Sequence, residues 1–386
     1  MTYEAKARGV VRGMRIHEIK RICPDVIILP SDYETYSLFS RRMYEIVRRY
    51  TPVVEEYSID ECFADITEVP KVIPLSYENI ALKIKKELYA ELGITFTVGL
   101  APTKVLAKVA SKWKKPDGLT IIPGSTIHRF LEELPVGKIW GIGPATEHYL
   151  VARRITTALH FAETSDTWIR THLSKPFREI RAELRGVMVL PVARGAPPLQ
   201  QSIMKTQTFT PPSRDPETIF ARLSKNIENA CIRARRHALA STRIGIFLKT
   251  QDFHYAGFEL KLPRKTNVPE EILAVIRPRF RALLKSNTLY RATGIVLSDL
   301  TLANPEQMGL FPENARSERL RDLYGTIDQL ADRFGKHTIF LGATERALNR
   351  SAHQGIRGTP STRASTILPG ETARQHIGLP FLGSVS

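Results

Sequence analysis

Cysteine is scarce, and so is any long apolar run. The three cysteines, Cys23, Cys62 and Cys231, are odd in number, far apart and not spaced as metal ligands. That pattern excludes a disulfide framework and a structural zinc cluster, and reads as reduced thiols in a cytoplasmic protein. No apolar stretch has the length a membrane-crossing helix needs, and no secretory leader is recognisable around Met1. Negative charge is short as well: 39 Asp and Glu stand against 56 Lys and Arg, a formal net charge of +17. Such an excess points to a polyanionic partner, nucleic acid before membrane surface. At 386 residues and 42% hydrophobic, the chain is long enough for two to four domains with their own cores.

The stretch from Tyr57 to Thr67 organises the first part of the chain. Residues 52–59 and 62–67 are rich in β-branched and aromatic types and read as two strands, with Asp60-Glu61 where the chain reverses. At a hairpin tip two adjacent carboxylates can converge, which is costly unless a cation sits between them. Mg²⁺ suits such a pair, because it takes one or two carboxylates and shares its other positions with substrate phosphates. A solvated hairpin tip is the plain alternative.

Around the hairpin, basic residues 1–30 lead into a helix over 33–49, with Tyr36, Phe39, Met43, Ile46 and Val47 on one face. Ser76 caps a second helix carrying Ile80, Ile84, Leu88 and Leu92, ended by Gly93, and a strand follows over 94–100. The order helix, strand, strand, helix, strand is a split β-α-β sandwich without its opening strand. A helix over 102–113 then puts Leu106, Val109, Ala110 and Trp113 on one face and Lys104, Lys108 and Lys112 on the other, a line that Lys115 continues. An ordinary wet face would look the same, but a lysine line beside paired carboxylates is better explained by phosphate. Residues 124–190 read as helical. Within them the stretch from Leu134 to Pro144, with Lys138-Ile139-Trp140 before the glycines, resembles a helix-hairpin-helix turn, where Gly141 and Gly143 let the backbone approach a phosphate.

Residues 194–198 read as a linker. Strands over 201–209, 241–249, 254–262 and 290–299 and helices over 216–239 and 269–285 then give a complete β-α-β-β-α-β unit. Arg233, Arg235, Arg236 and Arg243 make it basic, and no acid–base constellation stands out, so it reads as a binding module. Beyond residue 304 come Gln307-Met308-Gly309-Leu310-Phe311 and a helical segment over 316–334. The last fifty residues are rich in Ser, Thr, Arg, Gly and Pro, a composition that cannot bury a core.

Taken together, these motifs resemble the Y-family (translesion) DNA polymerases, nearest to the bacterial UmuC and polymerase IV group. Tyr57-Ser58-Ile59-Asp60-Glu61 is similar to the family's palm signature, and residues 99–118 to the segment after it. Residues 3–10 resemble part of the fingers, and 139–143 the thumb. The resemblance implies an α+β right-hand architecture: a fingers remnant (1–32), a ferredoxin-like palm without its first strand (33–123), a helical thumb (124–193), a little finger (200–303) and a tail (304–386). It implies nucleotidyl transfer with two Mg²⁺ ions, Asp60 and Glu61 as metal ligands, and Tyr3, Lys6 and Lys115 at the incoming triphosphate. DNA contacts would come from Lys104, Lys108, Lys112, Lys138, Gly141, Gly143, Arg233, Arg235, Arg236 and Arg243. Gln307, Leu310 and Phe311 resemble a sliding-clamp peptide. The partners implied are primer–template DNA, deoxynucleoside triphosphates and a sliding clamp, with UmuD-like and recombinase proteins as further classes.

One departure stands against these matches. Family members open with a strand that carries another metal-binding aspartate and is followed by an aromatic residue that screens out ribonucleotides; the likeness, from residue 2 to roughly 345, begins after both. The expectation is therefore a translesion polymerase of the SOS type, with a catalytically silent DNA- and clamp-binding relative, or a polymerase fragment, as the alternative.

Overall fold

The computed structural model describes residues 1–29, 31–194, 199–303, 312–334 and 337–348. The chain divides into two compact units near residue 197, where the composition predicts a linker.

In the first unit, α1 (Tyr3–Ala7) and α2 (Ile16–Ile22) come first. The Arg8 guanidinium, just after α1, grips both oxygens of Asp25 beyond α2, at 2.9 and 2.6 Å. That pairing holds the Asp25 carboxyl down at about 2. Helix α3 (Tyr33–Arg48) starts where the Asp32 carboxylate accepts from Thr35 N at 3.1 Å. A hairpin follows, β1 (Val54–Ser58) and β2 (Glu61–Ala64), with a register irregularity between Glu56 and Ser58. After the short α4 (Val69–Val72), α5 (Tyr77–Leu92) is capped by Ser76 and stopped by Gly93 at φ +66°. Its i, i+4 row Ile80, Ile84, Leu88 and Leu92 packs with Met43, Ile46 and Val47 of α3 and with Val54 of the hairpin. This core is the one that the helical spacing predicts.

The strands are arranged differently from one continuous sheet. Strand β3 (Val98–Leu100) is shorter than expected and pairs in parallel with β4 (Leu119–Ile121). Three residues are too few to show a period, so β4 leaves no pattern in the sequence. Among the described residues β1–β2 and β3–β4 form separate two-stranded sheets. Helix α6 (Lys104–Trp113) lies so close on β3 that a Cβ at Gly99 would fall 2.3 Å from the Ala107 carbonyl oxygen. Only glycine allows that approach.

Helices α7 (Ile127–Glu133), α8 (Pro144–Val151), α9 (Ala158–Ala162), α10 (Asp166–His172) and α11 (Lys175–Leu184) surround a second core. Val105 and Leu106 belong to it, so α6 is shared between the sheet layer and the helices.

The second unit has β5 (Ser202–Ser213), α12 (Pro216–Arg236), β6 (Leu239–Thr250), β7 (Tyr255–Thr266), α13 (Pro269–Phe280) and β8 (Tyr290–Leu302), the order read from the sequence. The sheet runs β5-β8-β6-β7 with all neighbours antiparallel. Its inner face, including Ile244, Ile246, Leu248, Ile295 and Leu297, packs on Ile227 of α12 and Ile272 of α13. Helices α14 (Pro312–Phe334) and α15 (Glu345–Leu348) complete the unit. The clamp-like residues Gln307, Leu310 and Phe311 lie outside the described residues.

Candidate active site

The hairpin tip is held from below. The Tyr44 hydroxyl of α3 donates to the Ser58 carbonyl at 2.6 Å, and Ser58 Oγ donates to Asp60 Oδ1 at 2.7 Å. Glu61 pairs with β1 at Ser58 in the register, so both carboxylates stand at the turn, as the sequence predicts.

Helix α6 faces this hairpin with its lysines, and the line divides in two. Lys104 donates to both oxygens of Glu55, at 2.8 and 2.7 Å, and Lys108 Nζ is ion-paired with Glu61. Both lysine side chains are only 11% exposed. Lys104 lies 5.0 Å from the Phe63 ring centroid and Lys108 5.6 Å from that of Tyr57. These two lysines therefore fasten the hairpin to α6, a role that sequence spacing does not distinguish from contact with DNA. Lys112, Lys115 and Lys138 have no acidic partner among the described residues. Burial holds the Lys112 ammonium below its ordinary range, and Lys115 and Lys138 lower it further. Lys108 is lowered by burial and then by Lys112 and Lys115, while Asp60 acts against them. A cluster of mutually repelling cations thus stands beside the two carboxylates, the electrostatics of a polyanion site.

An aromatic block joins the hairpin to the Gly141 turn. Trp140 Nε1 donates to the Tyr57 hydroxyl at 3.0 Å, and the Tyr57, Phe63 and Trp140 rings lie 5.2 to 5.6 Å apart. Gly141 sits at φ +93°, and a Cβ there would be 2.6 Å from Ile180 Cδ1. Gly143 is the N-cap of α8 and has open space around it. Trp140 had no assigned role in the sequence; its place after Lys138-Ile139 in a turn of glycines was the available signal.

The remaining predicted residues are scattered. Tyr3 and Lys6 pair with each other on exposed α1, with Nζ 4.5 Å from the ring centroid. Of the four arginines predicted to contact DNA from the second unit, Arg233 is exposed. Arg235 is bidentate to Asp328 of α14 at 2.6 and 2.8 Å, and Arg236 and Arg243 pair with Asp332 and Asp299. Arg235 is 11% exposed and also donates to the Asn267 carbonyl, so it holds α14 in place and is not a free DNA contact. The acids on α14 lie about ninety positions away in sequence, too far for any local pattern to pair them.

Among the described residues there is no group of three or more His, Cys, Asp or Glu able to hold a metal ion. The donor set is the Asp60-Glu61 pair. Two hard carboxylates fit a divalent cation that completes its shell with water and phosphate oxygens.

The impB/mucB/samB family matches residues 1–112, and its C-terminal domain matches residues 200–310. The chain is similar to DNA polymerase IV of Desulfatibacillum aliphaticivorans, 31% identical over 88% of this chain and 85% of the relative. It is similarly related to DNA polymerase IV of Moorella thermoacetica, at 31% over 88% and 84%. Among solved structures it resembles a Y-family DNA polymerase chimera built on Dbh, with TM-score 0.66, 25% identity, 78% of this chain and 86% of that one covered. A Dbh ternary complex matches with TM-score 0.52, 25% identity and coverage of 78% and 88%. On these matches the chain belongs to the impB/mucB/samB family of Y-family, translesion DNA polymerases.

Proposed function

We propose that the chain carries out template-directed DNA synthesis, including synthesis across damaged template, with primer–template DNA and deoxynucleoside triphosphates as substrates. The observation that carries this reading is the meeting of Asp60 and Glu61 with the uncompensated cations Lys112, Lys115 and Lys138. A module that only binds DNA has no use for two acids facing a polyanion, since they oppose its phosphates.

Asp60 and Glu61 would hold Mg²⁺. When bound, the metal supplies charge stabilisation for the attacking and leaving oxygens of nucleotidyl transfer. Ser58 orients Asp60, and Lys108 holds Glu61 in the direction of the same site. Lys112 and Lys115 then neutralise triphosphate oxygens, and Tyr3 and Lys6 belong to the same nucleotide site. Lys138 and the backbone at Gly141 and Gly143 receive a DNA phosphate, with Arg233 adding to the DNA surface of the second unit. The fingers, palm, thumb and little finger follow the boundaries 1–32, 33–123, 124–193 and 200–303. Gln307, Leu310 and Phe311 dock a sliding clamp, and the protein acts in the cytoplasm.

Primer extension with Mg²⁺, beside the Asp60→Ala variant and a DNA-binding control, tests this. Extension should vanish in the variant and on chelation of the metal, while DNA binding persists. A wild-type chain that binds primer–template but never extends it would replace this reading with that of a silent, DNA-binding relative.

A further inference from the structure

The outer face of the second unit's sheet carries a feature that the proposed chemistry leaves unused. Directly opposed residues in an antiparallel sheet share a face. The register therefore puts Tyr255, Lys249, Ala292 and Thr208 in one row across the sheet, and Gly257, Phe247, Gly294 and Thr206 in the next. With glycine on both sides, the Phe247 ring lies down on the sheet: a Cβ at Gly294 would fall 2.2 Å from Phe247 Cζ. Tyr255 stands beside it, ring centroids 5.7 Å apart.

The turn that joins β6 to β7 adds a third ring. Phe253 is placed there at φ +69°, a backbone region that is unfavourable for a non-glycine residue. The ring gains little burial in return, being 57% exposed, and Tyr255 is 63% exposed. Two cations cover these rings. Lys249 Nζ lies 4.7 Å from the Phe253 centroid and 4.8 Å from that of Tyr255, and the Arg291 guanidinium lies 4.6 Å from Phe253. Neither cation has a carboxylate partner among the described residues, and Arg291 Nη1 is buried without a hydrogen-bond partner. The exposed Asp252 is the acid in the turn.

Packing does not account for two half-bared rings at a strained turn, nor for two cations spent on them. We infer that this end of the sheet is a stacking platform for an unpaired nucleobase of single-stranded DNA. Tyr255 and Phe253 receive the base, Phe247 floors the shelf, and Lys249 and Arg291 take the flanking phosphates. Sheet-borne aromatics receive splayed bases in this way, because every base has a π-face and the adjacent cations hold the backbone. The inference rests on the reading of the chain as a DNA-handling protein, and it places unpaired template on the second unit.

The test compares binding of the full chain to oligothymidylate, to an abasic deoxyribose-phosphate strand of equal length, and to paired duplex. Wild type should prefer the base-bearing strand by roughly tenfold, the size of one aromatic–base stack. The double variant F253N/Y255L should bind both single strands alike, with duplex binding unchanged. Phe253→Asn suits a residue at positive φ, and Tyr255→Leu alone, at an exposed site, serves if the pair folds poorly. Tyr255→Phe, which keeps the ring, should retain the preference. An equal preference in wild type and the leucine variants, or none in wild type while duplex still binds, overturns the platform alone. Failure of wild type to bind any of the three DNAs removes the DNA reading, and the platform with it.

Discussion

Cys231, on the buried face of α12, is wholly enclosed, and burial pushes its thiol up to about 12 from an ordinary 9. Between those values the unfolded chain has released a proton that the native chain retains, so stability falls as pH rises through 9. The contribution is about 1.4 kcal/mol per pH unit at most. Urea midpoints at pH 8 and pH 10 should show this slope, and Cys231→Ala, whatever its absolute stability, should lessen it, the rest coming from Cys62, whose thiol burial also pushes up to about 12. At the same scale, the sequence marks Asp60 and Glu61 by their place at a turn between two strand-forming runs. It does not tell Lys108 from Lys112, which lie on one helix face one turn apart. Their difference is that Lys108 ends at Glu61, and that partner is set by the packing of α6 on the hairpin.

At the scale of elements, one carboxylate joins α6 to the helices that follow. Glu183, at the end of α11, is fully buried and accepts from Val105 N at 3.2 Å and from Val189 N and Leu190 N at 2.8 Å. Thr103, the N-cap of α6, donates to the carbonyl of the same residue at 2.9 Å. A buried negative charge is tolerable there because three amide donors face it, that of Val105 at the start of α6. Glu183→Ala strands those donors and should cost about 3 kcal/mol in urea unfolding. A loss below about 1 kcal/mol would mean that water replaces the carboxylate. Nothing in the sequence foretells this joint, because Glu183 and Val105 are 78 positions apart. The elements that it joins were legible, α6 from the shared face of Leu106, Val109, Ala110 and Trp113 and α11 within the helical stretch 124–190. The three-residue β4 was not, and neither was the separation of the two small sheets, which depends on which strand edges meet in space.

For the whole molecule, the net charge of +17 overstates what DNA meets. Arg235, Arg236 and Arg243 are paired with acids of their own unit, and Lys104 and Lys108 are paired with the hairpin. Binding to primer–template DNA should weaken steeply with salt through counterion release. Replacing the unpaired Lys112 or Lys138 by Gln should make that slope shallower by about one unit each, and Arg236→Gln should leave it nearly unchanged. Slopes from titrations at several salt concentrations decide this. Composition thus announced a polyanion partner correctly, and the fold decides which cations serve it. The hydrogen bond from Trp140 to Tyr57 has an optical consequence. The chain's other indoles, Trp113 and Trp168, pack against Phe130 and His172, away from that aromatic block. With both changed to phenylalanine, the remaining tryptophan becomes a gauge whose emission registers any shift of the strand leading to the paired carboxylates, so the protein can be watched as its chemistry is assembled.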